Sequence, residues 1–143
     1  MNIKIVLLFL LTSLTYFPPS YRANTTVRCL NEPKSVKLAL KQSAATFVGE
    51  VLQVRNGRNY LEARFRVESF WKGVEADEVF VLTEGESIAE SPHYRVGQKY
   101  LVFAGMRDGQ LFTGGCSRTK KVDYASEDLE QLEEGQKPKK KQE

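Results

Sequence analysis

Residues 60–71 alternate between apolar and charged side chains, and this pattern constrains the fold more than any other feature of the sequence. The apolar set is Leu61, Ala63, Phe65, Val67 and Trp71, and the charged set is Glu62, Arg64, Arg66 and Glu68. A period of two residues is typical of a β-strand with one buried face. We therefore expect a strand that packs on a core on one side and meets solvent on the other.

Four other stretches have strand character and two have helical character. Further strands are expected at 46–54, 78–83, 99–104 and 110–113, several of them bounded by turn signals. A first helix is expected over 36–45, with Ser35 as its N-cap. A second is expected over 127–134, with Ser126 as its N-cap and Gly135 ending it.

This order predicts an all-β fold with flanking helices. Five short antiparallel strands leave few unpaired edges when they close on themselves. We therefore expect a five-stranded OB-type Greek-key barrel with an N-terminal and a C-terminal helix, and we regard a β-sandwich as the second choice.

The N-terminal residues resemble an export signal. One lysine precedes the apolar run at 5–11, which continues more weakly to residue 17 and meets Pro18-Pro19. A signal peptide over residues 1–23 is expected, with Ser20 or Ala23 as the last residue before cleavage. The alternative, a membrane anchor, would need about 20 apolar residues. The mature protein is then secreted, or periplasmic or extracellular, with no membrane span after cleavage.

Charge and composition exclude several functions. Residues 24–135 hold 15 basic and 17 acidic side chains, so the basic character of the chain comes from the signal region and from 136–143, a tail expected to be disordered. The mixed-charge face of the strand at 60–71 does not suit nucleic acid. The single histidine, His93, and two cysteines cannot form a four-ligand zinc site. We expect no catalytic residue, no bound metal, no cofactor and no enzymatic activity, and we interpret His93 as a solvated loop residue, with a lone metal or pH role as the alternative.

The two cysteines, Cys29 and Cys116, most simply form one disulfide in an exported chain. Such a bridge would tie the segment before the first helix to the segment after the fifth strand. Free or reactive thiols are the alternative.

Four short motifs occur in order between Cys29 and Leu132. They are Phe47-Val48-Gly49-Glu50-Val51, Phe70-Trp71-Lys72-Gly73, Val96-Gly97-Gln98-Lys99-Tyr100-Leu101-Val102-Phe103-Ala104 and Thr113-Gly114-Gly115-Cys116-Ser117-Arg118-Thr119. Together they resemble the netrin-like domain of the tissue inhibitors of metalloproteinases, in its short bacterial-type form. The resemblance implies an OB-type barrel over residues 24–135.

The resemblance also implies a candidate inhibitory edge at Val27, Arg28, Cys29 and Leu30. Inhibitors of this family begin with Cys-x-Cys, and the free amine and carbonyl of the leading cysteine chelate the zinc of the protease. Here Cys29 matches the second cysteine, whereas Val27 stands at the place of the first. We therefore expect a module that binds an extracellular or envelope protein. The alternative is an inhibitor of a zinc metalloendopeptidase, acting through this edge and the flanking barrel loops.

Overall fold

The computed structural model describes residues 32–84 and 93–140. Within these ranges the fold is all-β with two short flanking helices, as the sequence predicts. The helices are α1 (Val36–Gln42) and α2 (Ser126–Leu132). The strands are β1 (Ala45–Asn56), β2 (Tyr60–Lys72), β3 (Glu78–Glu84), β4 (Lys99–Arg107), β5 (Gln110–Thr113) and the two-residue β6 (Lys120–Lys121). The predicted signal peptide lies outside the described residues.

Five of the strands form a closed ring. The order of neighbours is β1, β2, β3, β5 and β4, and β4 returns to pair with β1 along Ala45–Glu50. The pairs are antiparallel except for β3 and β5, which are parallel and meet at Leu82 and Thr83. The five predicted strands are thus confirmed, and the short β6 beside β4 is an addition. Closure leaves each of the five strands with a neighbour on both sides over part of its length.

The interior of the ring is filled by aromatic and branched side chains. Phe65 lies at its centre, with edge-on contacts to the rings of Phe47, Tyr94 and Tyr100 at centroid distances of 5.5, 5.0 and 6.3 Å. Gly49 passes close to this cluster, because a Cβ on it would come within 2.9 Å of the Arg66 carbonyl oxygen. A larger residue at this position would therefore push β1 away from β2.

The predicted alternation of β2 is confirmed over its first half and shifts in its second half. From Leu61 to Val67 the odd-numbered residues are buried, and Ala63, Phe65 and Val67 belong to the cluster that fills the interior. Val48 then pairs with Ser69 while Gly49 pairs with Val67, so that β2 has one extra residue there, Glu68, as in a β-bulge. Beyond the bulge Phe70 faces the interior. The prediction that Trp71 ends the interior stripe is therefore wrong.

Trp71 packs instead in a second apolar layer, between the ring and the two helices. Alternate residues of β4 serve the two layers, since Tyr100 and Val102 face the interior whereas Leu101 and Phe103 face the helices. The helix-side layer consists of Val36, Ala39, Val48, Leu101, Phe103, Ala125 and Leu132, with Leu40, Trp71, Val122 and Leu129 packed against it. The first half of β1 and most of β4 are thus covered on both faces.

The helix ends test the capping predictions. The Ser35 hydroxyl accepts a hydrogen bond from the Leu38 amide at 3.2 Å, which confirms the predicted N-cap. At α2 the cap is wrong, because Ala125 occupies the cap position and makes no side-chain bond. This helix also ends at Leu132, before the predicted end, since Glu133 has a φ of 61° and its carbonyl accepts from the Trp71 indole at 3.3 Å.

The turn at Lys72 and Gly73, at the end of β2, contacts the C-terminal end of α1. The Lys72 ammonium donates to the carbonyl oxygens of Leu40, Lys41 and Ser43, at 3.1, 2.9 and 2.5 Å, at the C-terminal end of the helix. A cation at this position satisfies carbonyls that have no partner within the helix. Gly73 has a φ of 73°, and a Cβ there would overlap the Ala44 carbonyl. This turn therefore requires glycine.

The C-terminal segment, residues 136–140, contacts β2 and the loop after it, where the sequence predicts a disordered tail. Gln136 exchanges two backbone hydrogen bonds with Phe70, each 2.8 Å long. The Lys139 amide donates to the Glu75 carbonyl, and its ammonium lies 2.8 Å from the Glu75 carboxylate. Backbone pairing of this kind needs no apolar side chain, so composition does not reveal it.

Candidate functional site

The structure describes only part of the predicted site. Val27, Arg28, Cys29 and Leu30, the candidate inhibitory edge, lie outside the described residues. Cys116 is described, lies in the segment after β5, is partly buried and is not a free thiol. The pairing of Cys29 with Cys116 stays a prediction. The described residues nearest in sequence to the edge are Glu32 and Pro33.

Pro33 is held by Arg118, two residues beyond Cys116. One guanidinium nitrogen, Nη1, donates to the Pro33 carbonyl at 3.2 Å. The other two donate to the carboxylate of Asp128 on α2, Nη2 to Oδ1 at 2.7 Å and Nε to Oδ2 at 3.1 Å. A planar guanidinium suits this two-point contact with a carboxylate. Arg118 thus joins the start of the described chain, the segment after β5 and the C-terminal helix.

Asp128 is the most buried charged group of the described residues, with 3% of its side chain exposed. Burial alone would raise the pKa of this carboxyl, but hydrogen bonds from Arg118 and Lys120 outweigh burial and hold the pKa below its ordinary value. Lys120 Nζ lies 3.0 Å from Oδ2. The hydrogen bond to Asp128 in turn raises the pKa of Arg118. Both carboxylate oxygens accept hydrogen bonds from cations. Asp128 therefore has a structural role and is not available as a base.

The segment between Cys116 and Lys120 is also fixed to β4. The Thr119 hydroxyl accepts from the Phe103 amide at 2.9 Å, and the Thr119 amide donates to the Ser117 hydroxyl at 3.2 Å. These bonds and the Arg118 contacts leave this segment little freedom. The described part of the site is therefore a fixed support for the backbone of Pro33.

Sequence reasoning missed the central member of this cluster. Asp128 is one of two acidic residues in the first turn of α2, where acids suit the helix dipole, and this position alone does not indicate an ion pair. One signal was present: Asp128 lies four residues before Leu132 and thus on the same face of the helix. A charged residue on an apolar face needs a partner, but the sequence does not indicate which cation supplies it.

His93 is exposed, as expected for a loop residue, and its carbonyl accepts from the Tyr100 hydroxyl at 2.8 Å. Within residues 32–84 and 93–140, no group of three or more His, Cys, Asp or Glu side chains is arranged to hold a metal ion.

None of the helices in the described ranges has the length and apolar character required to cross a membrane.

The sequence matches no protein-family model and no curated protein.

Proposed function

We propose that the protein is an exported binding module of the netrin-like type, which engages an extracellular or envelope protein through residues 27–30 and the neighbouring segment around Cys116. The observation that carries this proposal is the contact of Arg118 with the Pro33 carbonyl. It fixes the point from which the preceding chain leaves the barrel. Cys29 is four residues away, so covalent geometry keeps its Cα within about 14 Å of that of Pro33.

A fixed Pro33 backbone favours binding through the segment joined to it. The Pro33 carbonyl accepts one hydrogen bond from Arg118, whose guanidinium is itself held at two points by Asp128. A segment with its base fixed in this way loses less freedom on binding than a free terminus. The ion pair is remote from solvent, since 3% of the Asp128 side chain and 18% of the Arg118 side chain are exposed. Its geometry is therefore maintained before a partner arrives.

The strand order supports the finer fold assignment that we propose, an OB-type Greek-key barrel. In such a barrel five strands close with the third beside the fifth and the first beside the fourth. The ring here has these two adjacencies. An interior filled by side chains is also typical of small barrels, which leaves the outside and the termini for binding.

The proposal includes the disulfide between Cys29 and Cys116. In the chain-entropy model, a disulfide that closes the loop from Cys29 to Cys116 stabilises the fold by about 4 kcal/mol. The bridge would place the candidate edge beside the segment that contains Cys116 and Arg118. Mass analysis of the exported protein without reductant should give two hydrogens fewer than the dithiol, and alkylation of both thiols in the folded protein would contradict the bridge.

The alternative function, inhibition of a zinc metalloprotease, depends on the mature N-terminus. Chelation needs a free terminal amine, because an internal peptide nitrogen has no lone pair available for zinc. Cleavage after Ala23 leaves Asn24, Thr25 and Thr26 ahead of Val27. A form that begins at Val27 would regain an amine and a carbonyl at the candidate edge.

The interaction is tested with a photo-reactive amino acid placed at Arg28, and in a control protein at Arg58, in the turn between β1 and β2. Both positions are basic, and the second lies far from Cys116 in the chain. In cells that export the protein we expect a specific crosslinked partner from position 28 only. Equal yields from the two positions would contradict binding through the N-terminal segment.

Inhibition is tested with purified zinc metalloendopeptidases and two forms of the protein, beginning at Asn24 and at Val27. We expect no inhibition by the longer form. Inhibition by the form beginning at Val27 alone would indicate a latent inhibitor, whereas tight inhibition by the longer form would replace the proposed function with its alternative.

A further inference from the structure

A cationic cleft opens beside the start of β4. It shares Thr119 and Lys120 with the cluster that fixes the segment after Cys116, whereas its other lining residues have no part in the proposed function. Its volume is about 310 Å³, and it is lined by His93, Arg95, Tyr100, Thr119, Lys120 and Lys121. This volume is near the lower limit for pockets that bind small molecules. None of the six lining residues is acidic.

Two of the cations in the cleft have no ionic partner among the residues described. Lys120 is engaged by Asp128, but no described carboxylate lies within ion-pair distance of Arg95 or Lys121. This contrasts with the outer face of β1 and β2, where arginines lie beside glutamates, as Arg66 does beside Glu50. Within the described residues, the charges of Arg95 and Lys121 are therefore not neutralised by an ion pair.

The strand register and the backbone hydrogen bonds place both of these residues next to Tyr100. Lys121 is the cross-strand partner of Tyr100, so their side chains leave the same face of the β4–β6 pair. The Tyr100 hydroxyl accepts from the Arg95 amide at 3.1 Å and donates to the His93 carbonyl at 2.8 Å. The buried Tyr100 thus fixes the backbone that carries Arg95 beside the strand that carries Lys121.

The cations that lack an ion pair among the described residues indicate the charge of the ligand. A carboxylate carries one negative charge, whereas a phosphate monoester carries between about 1.5 and 2 at neutral pH. Two such cations match the phosphate monoester, and the arginine fork is suited to phosphate oxygens. The cleft also has room for a small organic group attached to the phosphate.

We propose that this cleft binds a phosphate monoester group, held between Arg95 and Lys121 with Tyr100 as the floor. The group has two chemical sources, a small soluble phosphate ester or the headgroup of a lipid. Binding at this cleft is independent of residues 27–30, so it can fail or succeed without affecting the proposed function.

The test is a titration of the ¹⁵N-labelled protein with glycerol 3-phosphate, with glycerol and sodium sulfate in parallel. We expect saturable shifts of the amides of Arg95, Tyr100 and Lys121 with the phosphate ester and none with glycerol. An Arg95→Gln/Lys121→Gln variant should bind at least about tenfold more weakly, a loss of about 1.4 kcal/mol. Sulfate binding as tight as that of the ester would overturn the assignment to a phosphate monoester.

The matched control is a Lys37→Gln/Arg58→Gln variant, which loses the same charge at exposed positions on α1 and in the β1–β2 turn. Unchanged binding by the control supports the cleft, whereas equal weakening in the two variants would show general charge attraction and overturn it. Vesicles of phosphatidylcholine with and without phosphatidic acid distinguish the sources. Sedimentation that needs both phosphatidic acid and the Arg95–Lys121 pair assigns a lipid headgroup, and binding of the soluble ester without sedimentation assigns a small ligand. No saturable binding of either source would refute the proposal.

Discussion

The ion pairs on the outer face of β1 and β2 and the cluster around Asp128 contain similar groups in different surroundings. Arg66 lies 3.6 Å from Glu50, and 59% of the arginine side chain is exposed. Arg118 lies 2.7 Å from Asp128 in a setting that is mostly buried, and its guanidinium is also bonded to the Pro33 carbonyl. The first kind of pair is screened by water, whereas the second replaces water.

The difference shows which charges hold the chain in place. Exposed pairs typically contribute about 0 to 1 kcal/mol, since solvent already stabilises both ions. A buried ion that loses its partner is far more costly than the pair is favourable, because it cannot recover its hydration. The Asp128 cluster should therefore respond strongly to any change, and the outer face should respond little.

The largest expected effect comes from removing one partner of the buried cluster. Asp128→Ala removes the buried carboxylate that both Arg118 and Lys120 contact, and we expect a loss of about 3 to 5 kcal/mol in the free energy of unfolding. Urea denaturation followed by circular dichroism measures it. A loss below about 1 kcal/mol, the range of exposed pairs, would erase the distinction between the two regions.

A smaller effect is expected when the charge is kept and the geometry is lost. Arg118→Lys retains a cation but cannot bond both carboxylate oxygens and the Pro33 carbonyl together. We expect a loss of about 1.5 to 3 kcal/mol, the value of hydrogen bonds to charged groups. The same denaturation experiment applies, and a stability equal to that of the unmodified protein would show that charge alone matters at this position.

The cluster should also give the protein a pH dependence with a definite sign. The pKa of Asp128 is lower in the folded protein than its ordinary value, so its contribution is complete above about pH 4, the unfolded value, and is lost as the pH falls further. The unmodified protein and Asp128→Asn should therefore differ in stability at neutral pH and converge in acid. A difference that stays constant from neutral pH into acid would mean that Asp128 titrates alike in both states.

The smallest effect belongs to the outer face. A double-mutant cycle of Arg66→Ala and Glu50→Ala should give a coupling of about 0.2 to 1 kcal/mol, decreasing as salt is added. Arg64 on β2 forms another exposed pair, with its guanidinium 3.8 Å from the Glu78 carboxylate, and Arg64→Ala serves as a comparison. A coupling above about 2 kcal/mol that resists salt would place this face in the same class as the buried cluster.

Local patterns predicted the parts of the fold that depend on nearby residues. The alternation of Leu61 to Val67 and the Ser35 cap each follow from a few adjacent positions, and both are confirmed. The prediction for Trp71 was wrong because the bulge at Glu68 depends on how β2 pairs with β1. The structural role of Asp128 was not predicted, because its partner, Arg118, comes from a different part of the fold.

In the candidate site, too, some features could be predicted from the sequence alone, and others depend on how distant parts of the chain meet. Cys116 could be selected from the count of cysteines in a chain that is expected to be exported, whereas the support around it could not. The contact between Arg118 and Pro33 joins residues 85 positions apart. Similarly, the cleft brings Arg95 and Lys121 together only because β6 pairs with Tyr100 and Leu101.

The C-terminal segment has a consequence for solubility. β3 covers β2 as far as Arg66, and the Val67 amide donates to Asp77, so the outer side of Phe70 has Gln136 as its backbone partner. Without that partner its amide and carbonyl would form a template for strand addition by another molecule. We therefore expect a chain shortened to end at Gly135 to self-associate rather than to lose stability. Residues 136–140 would therefore shield this part of β2 from pairing with another copy of the barrel.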